Sequence, residues 1–442
     1  MTAEIPSLGS VARRPSVVVF LVATFVLEVG ITSQFTALGK RVFDISGHES
    51  DLGLLGLAEF LPVALLVLLT GAVADRFPRQ RVAALALAGE AAFSVALIAE
   101  VKRSDASIGP IFGLVVGYAV ARAFLSPAIR ALPSTIVEPH ALPRMNSLYI
   151  GTFQAGVIAG PVIGALLYTI DVWVPFAVAA ACLGVGAVLV ATVRVDPVYR
   201  DAPAPARDRA TGGRLTEALQ GLKVIRREPL LLGAISLDLF AVLFGGAVAL
   251  LPAVAEKRLH VGVVGLGWLR AAAGMGAAFM TVVLAVRPVR RRVGATLFGV
   301  VGLFGAGTLV LGFTHTYAVA FVALVVLSGA DSVSVFIRST LVPLVTPNEV
   351  RGRVGAVENV FIGASNELGA FESGTLGQLI GAGPAIMAGG AATIAIVVVW
   401  PILFPAIRRL DRFPFHHGAV VADPESIADD PDEIITSPVE DS

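Results

Sequence analysis

The residues of this chain that can do chemistry are a few charges set inside helices that are otherwise apolar over a membrane-spanning length. Glu28, Arg122, Asp238, Asp331 and Arg338 each interrupt a long hydrophobic run. A charge in hydrocarbon is costly unless it lines water or meets a partner, so each is a candidate for moving a proton or holding a substrate. Glu28 lies eleven residues into its run, which starts near Val17. That is roughly 16 Å at 1.5 Å per residue, close to the middle of a bilayer. A carboxylate at that depth can load and release a proton, and Thr24 and Phe35 share its helical face. Arg122 and Ser126 lie one turn apart, with Arg130 two turns from Arg122. Arg122 is placed to hold Glu28 ionised or to bind an anionic group, and Arg130 to anchor a helix end at the headgroups. Asp331 and Arg338 are seven residues apart, about two turns on one face, too far for a direct salt bridge. Arg338 is equally placed to snorkel to the headgroups. Glu59, Glu90, Glu358, Glu367 and Glu372 are weaker candidates, Glu90 being structural or a proton relay. Arg270 is expected to pair or snorkel.

The elements that position these residues are helices. The chain has 442 residues, 56% hydrophobic and 15% charged, with a mean hydropathy of +0.82. Soluble globular domains carry about 25% charged residues. Twelve runs are long enough to cross a bilayer, starting near Val17, Leu52, Val82, Ile108, Met145, Trp173, Leu230, Val263, Val293, Thr316, Val354 and Pro384. The second six repeat the first at offsets of 208–213 residues. Ile129-Arg130 and Ile337-Arg338 share an offset of 208, as do Pro139 and Pro347. The expected fold is therefore an all-α membrane protein, twelve transmembrane helices in two pseudo-symmetric six-helix bundles.

The expected divisions are an N-terminal bundle (1–194), a linker (195–229), a C-terminal bundle (230–412) and an acidic tail (413–442) expected to be disordered. The linker includes a short amphipathic piece, LTEALQGLKVIRR. With both termini in the cytoplasm, 24 of the 33 Lys and Arg lie on that side, 6 outside and 3 within helices, which sets the orientation. The Arg13-Arg14 pair precedes a run too long for a signal-peptide core, so this run reads as the first spanning helix.

Enzymatic chemistry finds no foothold. There is no GxxxxGK[ST] phosphate loop and no HExxH spacing, and the single cysteine, Cys182, allows no disulfide within the chain and no thiolate cluster. A formal net charge of zero gives no argument for a nucleic-acid partner. The chain is expected to be no enzyme, to hold no metal or cofactor, and to use a proton gradient.

Two motifs carry a family resemblance. The loop GAVADRFPRQRV resembles the G-x-x-x-D-R-x-x-R motif of the major facilitator superfamily, with Gly71, Asp75, Arg76 and Arg79 matching and Pro78 replacing a common glycine. Asp75 is suited to brace a helix N-terminus, such as that near Gly352–Gly355, through the dipole. In the fifth helix Gly156, Gly160, Pro161 and Gly164 resemble G-x-x-x-G-P-x-x-G-G, associated with antiporters of the superfamily, with Ala165 for the last glycine. Glycines four apart clear a helix face for close packing, and proline bends it. The stretches FLSPAIRALPSTIVEPHALPRMNSL and VPLVTPNEVRGRVGAV resemble the exporter branch that includes enterobactin and macrolide efflux proteins.

This resemblance implies that the first, fourth, seventh and tenth helices line a central cavity. It also implies export of a hydrophobic or amphipathic small molecule by proton antiport, from a monomer in the cell membrane with both termini cytoplasmic. The alternatives are an importer or facilitator of the same fold, including one for lysophospholipids, and a non-transporting membrane sensor.

Overall fold

The computed structural model describes residues 7–103, 105–195, 214–348 and 350–414. The tail and most of the linker, for which disorder or flexibility is expected, lie outside the described residues. Twelve long helices run in chain order, and no strand occurs among the described residues. They are α1 (Pro15–Ser46), α2 (Glu49–Arg76), α3 (Arg79–Val101), α4 (Ile108–Ala131), α5 (Leu142–Ile170) and α6 (Val174–Thr192), then α7 (Pro229–Phe244), α8 (Val263–Val286), α9 (Val293–Phe313), α10 (Tyr317–Val345), α11 (Arg351–Ile380) and α12 (Ala382–Leu403). Each begins within three residues of the start read from hydropathy. The largest differences, at Glu49, Arg79, Leu142 and Arg351, arise because a first turn begins ahead of the apolar run.

Ten of the spans are long and apolar enough to cross a membrane among the described residues. Large apolar side chains such as Leu65, Leu85, Ile170 and Phe313 are more than 70% exposed, which suits lipid rather than water. Proline at the first turn starts α1 and α7, where the missing N–H costs no hydrogen bond. Gly47, at φ 67°, ends α1 in the left-handed conformation that glycine tolerates.

Within the first half α1 packs on α5 and α6, and α4 on α2 and α3. Within the second, α10 packs on α8 and α9, and α7 on α11 and α12. Two helix pairs join the halves, α2 with α11 and α5 with α8. The amphipathic piece of the linker forms a helix, Arg214–Arg227, whose Leu222 and Ile225 pack with Leu231, Val342 and Val354 at the start of the second half. Its Gln220 accepts a 2.8 Å hydrogen bond from Arg353.

The halves meet at the face opposite the termini, here called the far face. Phe43 and Leu52 of the first half enter one apolar core with Leu250, Leu251 and Val254 of the second. Around it Lys40 pairs with Glu256 at 2.7 Å and Lys257 with Glu49 at 2.8 Å. Lys257 also donates to the carbonyl of Gly47. Deeper, a Cβ built on Gly53 would lie 2.8 Å from the carbonyl oxygen of Ala370, and one on Gly267 would lie 2.5 Å from the Ala165 Cβ. At the terminal ends of α2, α5 and α11, a Cβ on Gly71, Gly151, Gly352 or Gly355 would have nothing within 4 Å. The interface is close-packed at the far face and loosens towards the termini.

Candidate functional site

Helix α5 places Glu28. A Cβ on Gly156 would lie 2.5 Å from the Glu28 Cβ, one on Gly160 would collide with Thr32 Oγ1, and one on Gly164 would lie 2.6 Å from the Ser33 carbonyl oxygen. The three glycines thus let α1 lie directly on the α5 backbone through the turn that carries Glu28. Pro161 and Ala165, on another side of α5, meet Gly267 of α8. Ala165 fits because the glycine stands across the interface.

Glu28 is 9% exposed. Among the described residues its carboxylate has no hydrogen bond and no ion pair within 4 Å. Arg122 and Arg130, both on α4, are the cations in reach of it. Arg122 is the hub of the first half, in reach of Glu28, Glu59, Glu90 and Tyr118. Glu90 is fully buried, and neither of its oxygens makes a hydrogen bond of good geometry, although Tyr118 stands beside it. Between α1, α2, α3 and α4 a narrow cleft is lined by Gln34, Phe35, Glu59, Tyr118 and Arg122. Its free volume is about 10 Å³, room for roughly one water. A larger opening of about 410 Å³ lies at the far face beside Lys257 and Arg258, away from these charges.

The second half handles its charges differently. Arg338 Nη2 lies 2.7 Å from Asp238 Oδ1, and Arg338 Nη1 3.9 Å from Glu358 Oε1. Asp238 is 5% and Arg338 3% exposed, so the arginine does not snorkel. Asp331 is partly buried and within electrostatic reach of Arg338 without an ion pair to it. The repeat relates these groups to the first half. Glu28 and Asp238 are 210 apart, Arg130 and Arg338 208, Tyr149 and Glu358 209, and Arg122 and Asp331 209. Arg130, the counterpart of the buried Arg338, is exposed.

The loop carrying Gly71, Asp75, Arg76 and Arg79 is tied to its own half. Arg79 donates to the carbonyl of Ala131 at 3.3 Å, and Gln80 to those of Val190, Ala191 and Val193. Arg76 is exposed. The Asp75 side chain, expected to brace the α11 N-terminus, lies outside the described residues.

Three groups ranked low in the sequence converge on the cleft. Glu59 lines it, and Glu367 of α11 and Arg270 of α8 reach it from the other half. Tyr118 was legible as a neighbour of Arg122, one helical turn before it. Nothing in the local pattern marks Arg270 or Glu367, because their partners are set by packing between distant helices.

Comparison with known proteins fits this architecture. The chain is 24% identical over 416 residues to the multidrug efflux pump Tap of Mycolicibacterium fortuitum, covering 90% of this chain and 98% of that one. Its fold is similar to that of a mutant of the nucleoside transporter NupG (TM-score 0.70, 11% identity, 88% of this chain and 100% of that one). It is also similar to that of a bacterial homologue of the human lysosomal transporter Spinster (TM-score 0.66, 16% identity, 89% and 96%). Residues 20–370 match the family model of the Major Facilitator Superfamily, and the chain is a transporter belonging to that family.

Proposed function

We propose that this protein is a secondary active exporter of a hydrophobic or amphipathic small molecule, driven by proton entry through alternating access. It works as a monomer in the cell membrane, without a bound cofactor, with the terminal face in the cytoplasm. The orientation rests on the excess of Lys and Arg at that face. The observation that carries the reading is Glu28, a buried carboxylate without an ion-pair partner, seated by the α5 glycines on a helix spanning the whole half. Support for export comes from the similarity to an efflux pump.

The mechanism follows from charge. Protonating Glu28 removes a negative charge beside Arg122 and alters the field in the space between the halves. A proton gradient does work only if the proton binds the two conformations unequally, so rocking must change what the opposite half and solvent present to Glu28. The halves then rock about a site near the midplane. The halves are packed together at the far face and less tightly towards the termini, the arrangement expected of a conformation facing the cytoplasm.

The test is efflux of a panel of amphipathic compounds from proteoliposomes under an imposed pH gradient, wild type against Glu28→Gln. Gradient-driven movement lost in the variant is the expected result. Movement indifferent to the gradient would replace antiport with facilitated diffusion.

A further inference from the structure

Two charged side chains of the second half lie against the first, in the neighbourhood of Glu59. Arg270 of α8 lays its guanidinium over the Phe35 ring of α1, 4.7 Å from the ring centroid. It fits there because Gly39 has no side chain, since a Cβ on Gly39 would lie 3.1 Å from Arg270 Nη2. The Arg270 Nε is buried without a hydrogen-bond partner, and Glu59 is the carboxylate in its reach. Glu367 of α11 is seated in the same way. A Cβ on Gly56, one turn before Glu59, would lie 2.7 Å from Glu367 Oε2, and Glu59 is again within reach.

The remaining groups around Glu59 are Arg122 and Tyr118 from α4 and Glu90 from α3, with Glu28 of α1 one step further, in reach of Arg122 and Glu90. Of all these, Arg270 and Glu367 alone belong to the other half. Opening the far face separates α8 from α1 and α11 from α2, so both must withdraw. An ionised Glu59 holds Arg270 and repels Glu367. Protonation ends both, and the hold on Arg270, the larger of the two in the proposed switch, decides the sign. Partly buried charges feel one another more strongly than they would in water, so one proton changes the work of separating the halves.

We propose that Glu59, sharing a cleft with the Phe35 that Arg270 covers and standing one turn from the Gly56 that seats Glu367, is the residue whose protonation governs opening of the far face, with Arg270 as its positioning cation. This rests on the proton-antiport reading and assigns its conformational switch to a second carboxylate.

The experiment measures far-face opening directly. Leu52, buried in the far-face core, is replaced by cysteine in a Cys182→Ala background. Its modification rate by a membrane-impermeant maleimide is then followed from pH 5.5 to 8.5 (about the span in which buried carboxylates titrate) in nanodiscs and corrected for intrinsic thiol reactivity. The wild-type rate is expected to rise about tenfold at the acid end, the population change that one pKa unit of differential interaction produces. Glu59→Gln holds the rate at its acid-end value throughout, Arg270→Met removes the rise at the acid end, and Arg270→Lys keeps it. If Arg270→Met does not fold, the double variant Glu59→Gln/Arg270→Gln, which removes both charges, is expected to be flat as well. Variants at 59 and 270 that retain the wild-type profile would overturn the proposal while leaving antiport standing. A flat wild-type profile would overturn both.

Discussion

Glu28 and Asp238 occupy equivalent places in the two halves, yet the first carboxylate has no ion-pair partner while the second lies 2.7 Å from a buried arginine. Their helices differ as well. Helix α1 runs unbroken from Pro15 to Ser46, and α7 stops at Phe244, turns through Gly245 and Gly246, and resumes as a short helix, Leu251–Lys257. The cations differ in the same sense, Arg338 buried and Arg130 exposed. A duplicated bundle pairs one copy of its acid with an arginine and leaves the other, among the described residues, without an ion pair. The second half has the features of a braced body, and the first has those of the part that responds.

The largest expected effect breaks that bracing. Removing one member of a buried ion pair leaves the other charge uncompensated, at a cost of about 3–5 kcal/mol. Asp238→Asn or Arg338→Met should therefore lower the thermal unfolding midpoint in detergent sharply. Asp238→Val combined with Arg338→Met should recover part of it, since an apolar pair removes both desolvation costs while Glu358 and Asp331 lose their nearby cation. Glu28→Gln, with no pair to break, should leave the midpoint close to wild type. Equal losses at 28 and 238 would erase the contrast between the halves.

A smaller effect is expected where α5 seats α1. An alanine at Gly160 meets Thr32 and the carbonyl of Val29. Overpacking of this kind costs about 1–3 kcal/mol. Its counterpart 209 residues on is Gly369, where a Cβ would lie 2.6 Å from the Leu243 carbonyl oxygen. Both alanines should lower stability, measured by thermal unfolding. Gly160→Ala should also reduce gradient-driven transport among the molecules that remain folded, because the turn it displaces carries Glu28. If Gly369→Ala reduces transport per folded molecule as much, the second half is not a passive brace.

The contrast was only partly legible in the sequence. Spanning helices announce themselves because hydrocarbon demands long apolar runs, and the repeat offset needed only their starts. The depth of Glu28 followed from helix rise alone. The partner of Arg338 stayed open, because seven residues along one helix argue against a direct bridge to Asp331 but do not place Asp238 on α7, where the ion pair forms. Applying the repeat offset to the charges themselves would have matched Glu28 with Asp238 and Arg130 with Arg338. No comparable rule reveals Arg270 over Phe35, since its seat is made by an absent side chain, Gly39, on a helix of the other half.

The smallest effect concerns how each half ties its helix ends at the terminal face. In the first half Arg14, just before α1, donates to Glu138 at 2.5 Å, and both side chains are about a third exposed. The second half has Thr346 at the place of Glu138, fully buried and donating to the Val342 carbonyl, a group that does not titrate. Exposed pairs contribute at most about 1 kcal/mol. The hydrogen bond from Arg14 holds the Glu138 carboxyl below its ordinary value of 4.5, so the pair's contribution is complete above that value and lost as the pH falls through the lowered one. Glu138→Gln should therefore lower the unfolding midpoint slightly at pH 7, and the gap to wild type should close under strong acid. Replacing Thr346 by valine should give a gap that is constant over the same range. A Glu138 gap that ignored pH would mean that the first half is tied at this end by packing, as the second is, and would confine the difference between the halves to the membrane interior.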